Sequence, residues 1–217
     1  MSSRIAVLAS GRGSNLQAIL DAIAAQRLDA QVVAVLSDKP EASALLKVGP
    51  DQRWARSPKD FPDRAAFDAA MADALDAFAP DWIVCAGYMR ILGAAFVARF
   101  DGRLVNIHPS LLPLYKGLHT HARALEAGDA EHGASVHFVV PELDAGTVLA
   151  QARVPVQAGD TAEALAQRVL AVEHPLLIAS LALLVGGRVT ERAGQLQLDG
   201  HPLFSPLRLD CAGQLNR

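Results

Sequence analysis

Continuous apolar runs alternate with helix-patterned stretches along this 217-residue chain, and that alternation restricts its fold more than any other feature. Ile5-Ala6-Val7-Leu8-Ala9, Val32-Val33-Ala34-Val35-Leu36, Trp82-Ile83-Val84-Cys85-Ala86 and Leu104-Val105-Asn106-Ile107-His108 each read as strands. Runs apolar on both faces belong to strands covered on both sides, as in a parallel sheet flanked by helices. Leu16 to Ile23 and Phe67 to Phe78 carry helical spacing between them. Ala134 to Val140 and Val148 to Val156 read as two further strands, followed by a long helix opened by Asp160-Thr161-Ala162-Glu163 as its capping sequence. Pro175 is expected to kink or break that helix. Val189 to Leu198, with a turn near Ala193-Gly194, reads as a hairpin that precedes a tail. The expected class is α/β: a Rossmann-like open twisted sheet, mostly parallel with a mixed C-terminal part, and helices on both faces. Gly49 to Pro62 reads as loop with at most a short edge strand.

The run at Leu104 ends on a polar pair. Side chains alternate along a strand, so Leu104, Asn106 and His108 share one face, and Pro109 stops the strand at a sheet's carboxyl edge. Open α/β sheets bind ligands at that edge. An amide beside an imidazole can stabilise an oxyanion while handling a proton. A strand-end histidine satisfied by its neighbours is the competing reading.

A second signal is the turn Ser10-Gly11-Arg12-Gly13-Ser14-Asn15 between strand and helix. Glycines let backbone N–H groups converge on an anion at a helix N-terminus, and Ser14 with Gln17 reads as a capping box. Leu16 replaces the third glycine of the dinucleotide fingerprint and the Gly-Lys-Ser/Thr of the Walker pattern is missing, so neither nucleotide motif matches; Asn15, a poor interior helix residue placed where its side chain can reach back to the loop, favours a phosphate monoester. A tight turn with no ligand is the alternative. Glu142-Leu143-Asp144-Ala145-Gly146, between two strands, offers a carboxylate that would orient His108 and raise its pKa; it is also ordinary turn chemistry.

His108, His119, His121, His132 and His137 crowd one stretch, but their spacing matches no zinc motif, and no metal is expected. The net charge of −3 gives no global electrostatic case for nucleic acid or anionic membrane. Leu176 to Val185, the longest apolar stretch, is too short to span a bilayer. Cys85 and Cys211 are far apart and suit a reducing, cytoplasmic setting.

Six motifs, in order, resemble the phosphoribosylglycinamide formyltransferase family of folate-dependent formyltransferases: residues 10–16 (Ser-Gly-Arg-Gly-Ser-Asn-Leu), 87–92 (Gly-Tyr-Met-Arg-Ile-Leu), 106–113 (Asn-Ile-His-Pro-Ser-Leu-Leu-Pro), 117–121 (Gly-Leu-His-Thr-His), 132–137 (His-Gly-Ala-Ser-Val-His) and 143–146 (Leu-Asp-Ala-Gly). The resemblance spans about Arg4 to Val185. It implies transfer of a formyl group from 10-formyltetrahydrofolate to the amine of glycinamide ribonucleotide in purine biosynthesis, without a metal. It also implies Asn106, His108 and Asp144 as the catalytic trio, Gly13, Ser14 and Asn15 as the phosphate loop, and Glu173 as the ribose contact. Met89, Arg90, Ile91, Leu92, Leu104, Asn106, Val139 and Asp144 are the implied folate pocket, with backbone groups of Arg90 to Leu92 and Val140 to Asp144 on the pterin edge. Arg64 and Arg90 are candidates for the glutamate tail.

The expected organisation is one domain: a phosphate-binding half to about residue 100, a catalytic and folate-binding half at about 101–185, and a C-terminal hairpin and tail at 186–217. Glu41 to Ser57 is short and unlike the family's usual helix and strand there, which puts the second peripheral βα unit in doubt. The alternatives are a 10-formyltetrahydrofolate hydrolase, a methionyl-tRNA formyltransferase and a non-enzymatic nucleotide-binding module. The added N-terminal domain of the hydrolases and the C-terminal barrel of the tRNA enzymes have no counterpart in this sequence. Small-molecule substrates and a monomer or homodimer are expected.

Overall fold

The computed structural model describes residues 2–192 and 194–217, and the chain divides within one strand into two compact units, 1–106 and 107–217. In the first unit, β1 (Ser3–Leu8), β2 (Ala30–Ser37), β3 (Arg53–Ala55), β4 (Trp82–Cys85) and β5 (Leu104–His108, whose last two residues belong to the second unit) lie in the order β5-β4-β1-β2-β3. The pairings β1–β2, β1–β4, β2–β3 and β4–β5 are all parallel. Ile5, Val7 and Leu8 are fully buried, as a strand covered on both faces requires. Among the described residues this unit has three α-helices, α1 (Ser14–Ala24), α2 (Arg64–Phe78) and α3 (Ala94–Arg99), the last not expected from sequence. Asp63 caps α2, its side chain accepting the Ala66 N–H at 2.8 Å.

In the second unit, α4 (Thr120–Ala127) is followed by β6 (Glu131–Phe138), β7 (Val148–Pro155) and α5 (Ala162–Val185). β6 neighbours the end of β5 and pairs antiparallel with β7, so the sheet is mostly parallel with a mixed C-terminal part. The tail is not a simple appendage: β11 (Leu207–Leu209) joins β7 in parallel and β12 (Leu215–Asn216) pairs with β11. β8 (Val189–Arg192), β9 (Gln195–Leu198) and β10 (His201–Leu203) form a separate antiparallel sheet; Ala193, in the expected turn, lies outside the described residues.

Two expectations about the long helix need correction. It is not broken at Pro175, because that residue is exposed and the carbonyl of Ala171, deprived of its helical donor, is also on an exposed residue where water can serve it. Nor is the apolar stretch short: α5 is long and apolar enough, by length and composition, to cross a membrane. Its packing is that of a core helix, with Leu165, Val169, Leu177 and Leu181 buried and contacts to β6 and β7. Thr161 caps it, its hydroxyl accepting the Ala164 N–H at 3.2 Å.

Because Pro175 forfeits a helical bond at an exposed position, Pro175→Ala should raise unfolding stability by about 1–3 kcal/mol, read as a higher urea midpoint at unchanged m-value.

Candidate active site

In the second unit, Asp144 lies in the turn between β6 and β7, with a left-handed backbone at φ 45°. Gly146 makes the turn possible, since a Cβ there would stand 1.8 Å from the Phe138 carbonyl oxygen. The Asp144 side chain is 9% exposed, and its Oδ2 accepts the Gly117 N–H at 2.9 Å. The same oxygen lies 3.5 Å from His108 Nδ1, while Oδ1 lies 3.6 Å from His137 Nε2. One carboxylate therefore faces two imidazoles.

Each of these rings offers its other nitrogen to a backbone carbonyl: His108 Nε2 is 2.9 Å from the Tyr115 oxygen, and His137 Nδ1 is 2.8 Å from the Phe138 oxygen. A neutral imidazole has one N–H and one lone pair, so donating to its carbonyl leaves it a lone pair toward Asp144. An added proton on the cluster relieves that conflict. Burial opposes it, pushing the His108 imidazole below its usual range against the raising influence of the Tyr115 carbonyl and Asp144. The expectation that Asp144 lifts His108 is thus corrected: its effect has that sign, but desolvation outweighs it. Burial alone would raise Asp144, yet His137, the Gly117 N–H and His108 together hold its carboxyl below the usual range.

The segment after His108 is tied down by buried polar groups. Ser135 Oγ accepts the Leu112 N–H at 3.0 Å and donates to the Ser110 carbonyl at 2.7 Å, and Gln151 Nε2 donates to the Leu112 carbonyl at 2.8 Å. Ser110 Oγ donates to the Leu114 carbonyl at 2.6 Å, setting the approach to Tyr115. Tyr115, whose carbonyl meets His108, and His119, the N-cap of α4, both have positive φ, at 53° and 59°, as Asp144 does. Such strain, roughly 1–3 kcal/mol per residue, persists only where surrounding contacts over-determine it. His137 is the residue to which sequence reasoning gives no role in the site: it stands in the 132–137 motif and in the histidine-rich stretch, and only the structure places it against Asp144. Among the described residues, no group of three or more His, Cys, Asp or Glu is placed to hold a metal ion.

In the first unit, the Gly-rich turn joins β1 to α1. Gly13, at φ 72°, is the N-cap, so the expected Ser14–Gln17 capping box does not form: Ser14 is already helical. Gln17 instead donates to Asp21 at 2.8 Å and accepts from Lys47 Nζ at 2.9 Å. A Cβ on Gly13 would come within 2.8 Å of Ala44 Cβ, and the Ala44 N–H donates to the Gly11 carbonyl at 3.0 Å. The segment at 42–47 is therefore a buttress of the turn, not a peripheral variation. Asn15 is buried in the first turn of α1.

Among the residues assigned to folate, Met89 and Ile91 are 61% and 51% exposed, whereas Leu92 and Leu104 belong to the core and Val139 is half-buried. The Arg90 guanidinium lies 5.4 Å from the Phe67 ring centroid, a cation–π contact, and Arg64 Nε is 3.6 Å from Asp68. Asn106 stands two residues before His108 on β5. Glu173 is buried within α5 of the second unit and is not a solvated helix-surface charge.

Residues 3–181 match the formyl transferase family. The chain belongs to that family. The formyltransferase is 46% identical to Escherichia coli phosphoribosylglycinamide formyltransferase over 92% of this chain and 95% of that protein. It is 42% identical to the human trifunctional purine biosynthetic protein adenosine-3, over 86% of this chain but only 19% of that longer protein. The structure of phosphoribosylglycinamide formyltransferase from Coxiella burnetii superposes with a TM-score of 0.87 at 43% identity, covering 94% of this chain and 96% of that one. A formyltetrahydrofolate deformylase from Pseudomonas syringae shares the fold at a TM-score of 0.81 with 26% identity, and this chain covers 66% of it.

Beside this cluster, burial holds the His132 imidazole down to about 4, with His121, 3.2 Å away, adding to the effect. The unfolded chain, with a value of 6.5, binds this proton more readily than the native one, so the contribution of neutral His132 to stability is full above pH 6.5 and is lost as pH falls through about 4. Urea midpoints across this range should decline less steeply for His132→Gln than for the wild type.

Proposed function

We propose that this formyltransferase moves the formyl group of 10-formyltetrahydrofolate to the amine of glycinamide ribonucleotide in purine biosynthesis. The observation that carries the reading is the Asp144 carboxylate 3.5 Å from His108, on the strand that bears Asn106, in a chain 46% identical to the E. coli enzyme of that name. The neutral amine attacks the formyl carbon, and its C–N bond forms as negative charge builds on the formyl oxygen. The Asn106 amide and the His108 imidazolium hold that oxyanion, which takes over the hydrogen bond His108 Nε2 now makes to the Tyr115 carbonyl.

Protonation of His108 is favoured most when the oxyanion is present, because the new negative charge adds to Asp144 and offsets the cost of burying the cation. That stabilisation is stronger in the transition state than in the ground state, as catalysis requires. A water relays the proton from the attacking nitrogen to the departing folate nitrogen as the old C–N bond breaks. No covalent enzyme intermediate is needed.

Gly13, Ser14 and Asn15 take the phosphate of the ribonucleotide, and Glu173 its ribose hydroxyls. Arg64 and Arg90 meet the folate glutamate, and the exposed apolar side chains of Met89 and Ile91 face the pterin. The setting we assign is cytoplasmic, with small-molecule partners, no metal, and a monomer or homodimer.

Incubation with 10-formyltetrahydrofolate should yield tetrahydrofolate and formylated ribonucleotide only when glycinamide ribonucleotide is present. Release of formate without it would indicate the hydrolase, and inertness in both tubes a binding module. Glu173→Ala should weaken ribonucleotide binding by about 10-fold or more, the scale of a hydrogen bond to a charged group, with folate affinity changed much less. Equal weakening of both in calorimetric titrations would refute the ribose assignment.

A further inference from the structure

Two buried acids in the first unit suspend the segment between β4 and α3. Asp38, just beyond the end of β2, is 7% exposed, and its Oδ1 accepts the Ser10 hydroxyl at 2.6 Å. Ser10, just beyond β1, is itself 4% exposed, and its Oγ accepts the Met89 N–H at 2.9 Å. Its backbone N–H donates to the Gly87 carbonyl at 3.0 Å. At the other end of the segment, Asp68 of α2, 5% exposed, accepts the Gly93 N–H through Oδ2 at 2.8 Å. Arg90, Ile91 and Leu92 lie between these two tethers.

The chemistry makes the first tether directional. A hydroxyl has one proton and two acceptor lone pairs; giving the proton to an acceptor-only carboxylate turns the lone pairs toward Met89. Without Asp38, the Ser10 hydroxyl is free to rotate, and the Met89 N–H loses a fixed partner. The second tether is sterically matched, since a Cβ on Gly93 would stand 2.8 Å from Asp68 Oδ2, so a glycine is what lets the carboxylate reach the amide. Tyr88 lies within electrostatic reach of both acids, and its hydroxyl is 3.7 Å from Met71 Sδ. The exposed Met89 and Ile91 side chains thus ride on a backbone tethered by the Met89 N–H bond to Ser10, which is backed by the charge-assisted bond of Ser10 to Asp38, and by the charge-assisted Gly93 N–H bond to Asp68.

We propose that Asp38, acting through Ser10, and Asp68 are positioning residues that hold the Arg90–Leu92 backbone in the geometry that hydrogen-bonds the polar edge of the pterin. This rests on the proposed function and on the assignment of the Arg90–Leu92 backbone to the pterin edge that the family resemblance implies. Neither acid touches substrate. Their effect is on where backbone donors and acceptors stand, and a displacement of about 1 Å in such groups can cost on the order of 100-fold.

The test is direct titration of tetrahydrofolate and, separately, of glycinamide ribonucleotide into wild type, Ser10→Ala, Asp38→Ala, Asp38→Asn, Asp68→Ala and the Ser10→Ala/Asp38→Ala double variant, each checked for folding by thermal melting. Ser10→Ala, Asp38→Ala and Asp68→Ala should each weaken tetrahydrofolate roughly 10-fold or more and the ribonucleotide less than about 3-fold. Asp38→Asn, whose amide oxygen still accepts the hydroxyl, should stay within about 3-fold of wild type. The double variant should be no worse than about twice the weaker-binding single variant, because both changes break one chain of bonds. Should Asp38→Ala fail to fold, Ser10→Ala, which removes a single oxygen, decides the matter. Unchanged tetrahydrofolate affinity in folded Ser10→Ala, equal losses for both ligands, failure of Asp38→Asn to rescue, or additive effects in the double variant would each overturn the proposal. If wild type itself takes up no tetrahydrofolate, the folate reading falls and this inference with it; if wild type binds and the variants bind equally, only the inference falls.

Discussion

One carboxylate organises the second unit's polar cluster. Asp144 is held in a left-handed turn, pinned by the Gly117 N–H, and set against His108 and His137. Its position needs Gly146, whose lack of a Cβ lets the turn close on β6. Because the second ring nitrogen of each histidine faces a carbonyl, the cluster has more acceptors than two neutral imidazoles can serve. Burial resists the extra proton. A site with this balance gains its charged form when negative charge arrives, which is the behaviour asked of an oxyanion stabiliser.

Much of this was legible in the sequence because it depends on local rules. The apolar runs at Ile5, Val32, Trp82 and Leu104 read as buried parallel strands, and alternation put Asn106 and His108 on one face of β5. Asp144 could be named as a candidate partner for His108 because its turn stands between two apolar strands, where sheet topology can bring it close to the end of the His108 strand. The family was legible from six motifs in order, and the match over residues 3–181 agrees.

What was not legible depends on tertiary contacts. The Ser14–Gln17 spacing has the form of a capping box, but Gly13 takes the cap and Lys47 claims Gln17. Pro175 has a local tendency to break α5, overridden by burial of Leu176 and Leu177 while the lost bond faces solvent. The 42–47 segment has no strong pattern of its own, and its value lies in the Ala44 contact with the Gly-rich turn. Asp38 and Asp68 are ordinary in sequence. Only their burial against Ser10 and Gly93 marks them.

The most direct test of the central claim, that Asp144 supports a catalytically used protonated His108, is a pH–rate profile paired with NMR titration of the His108 ring in wild type and Asp144→Asn. Asp144→Asn should shift the His108 pKa and the activity limit set by its charged form to lower pH, and reduce turnover by about two decades or more, with ribonucleotide affinity changed only a few-fold. Near-normal turnover, an unmoved His108 titration, or a collapse of ribonucleotide affinity in place of turnover would contradict it.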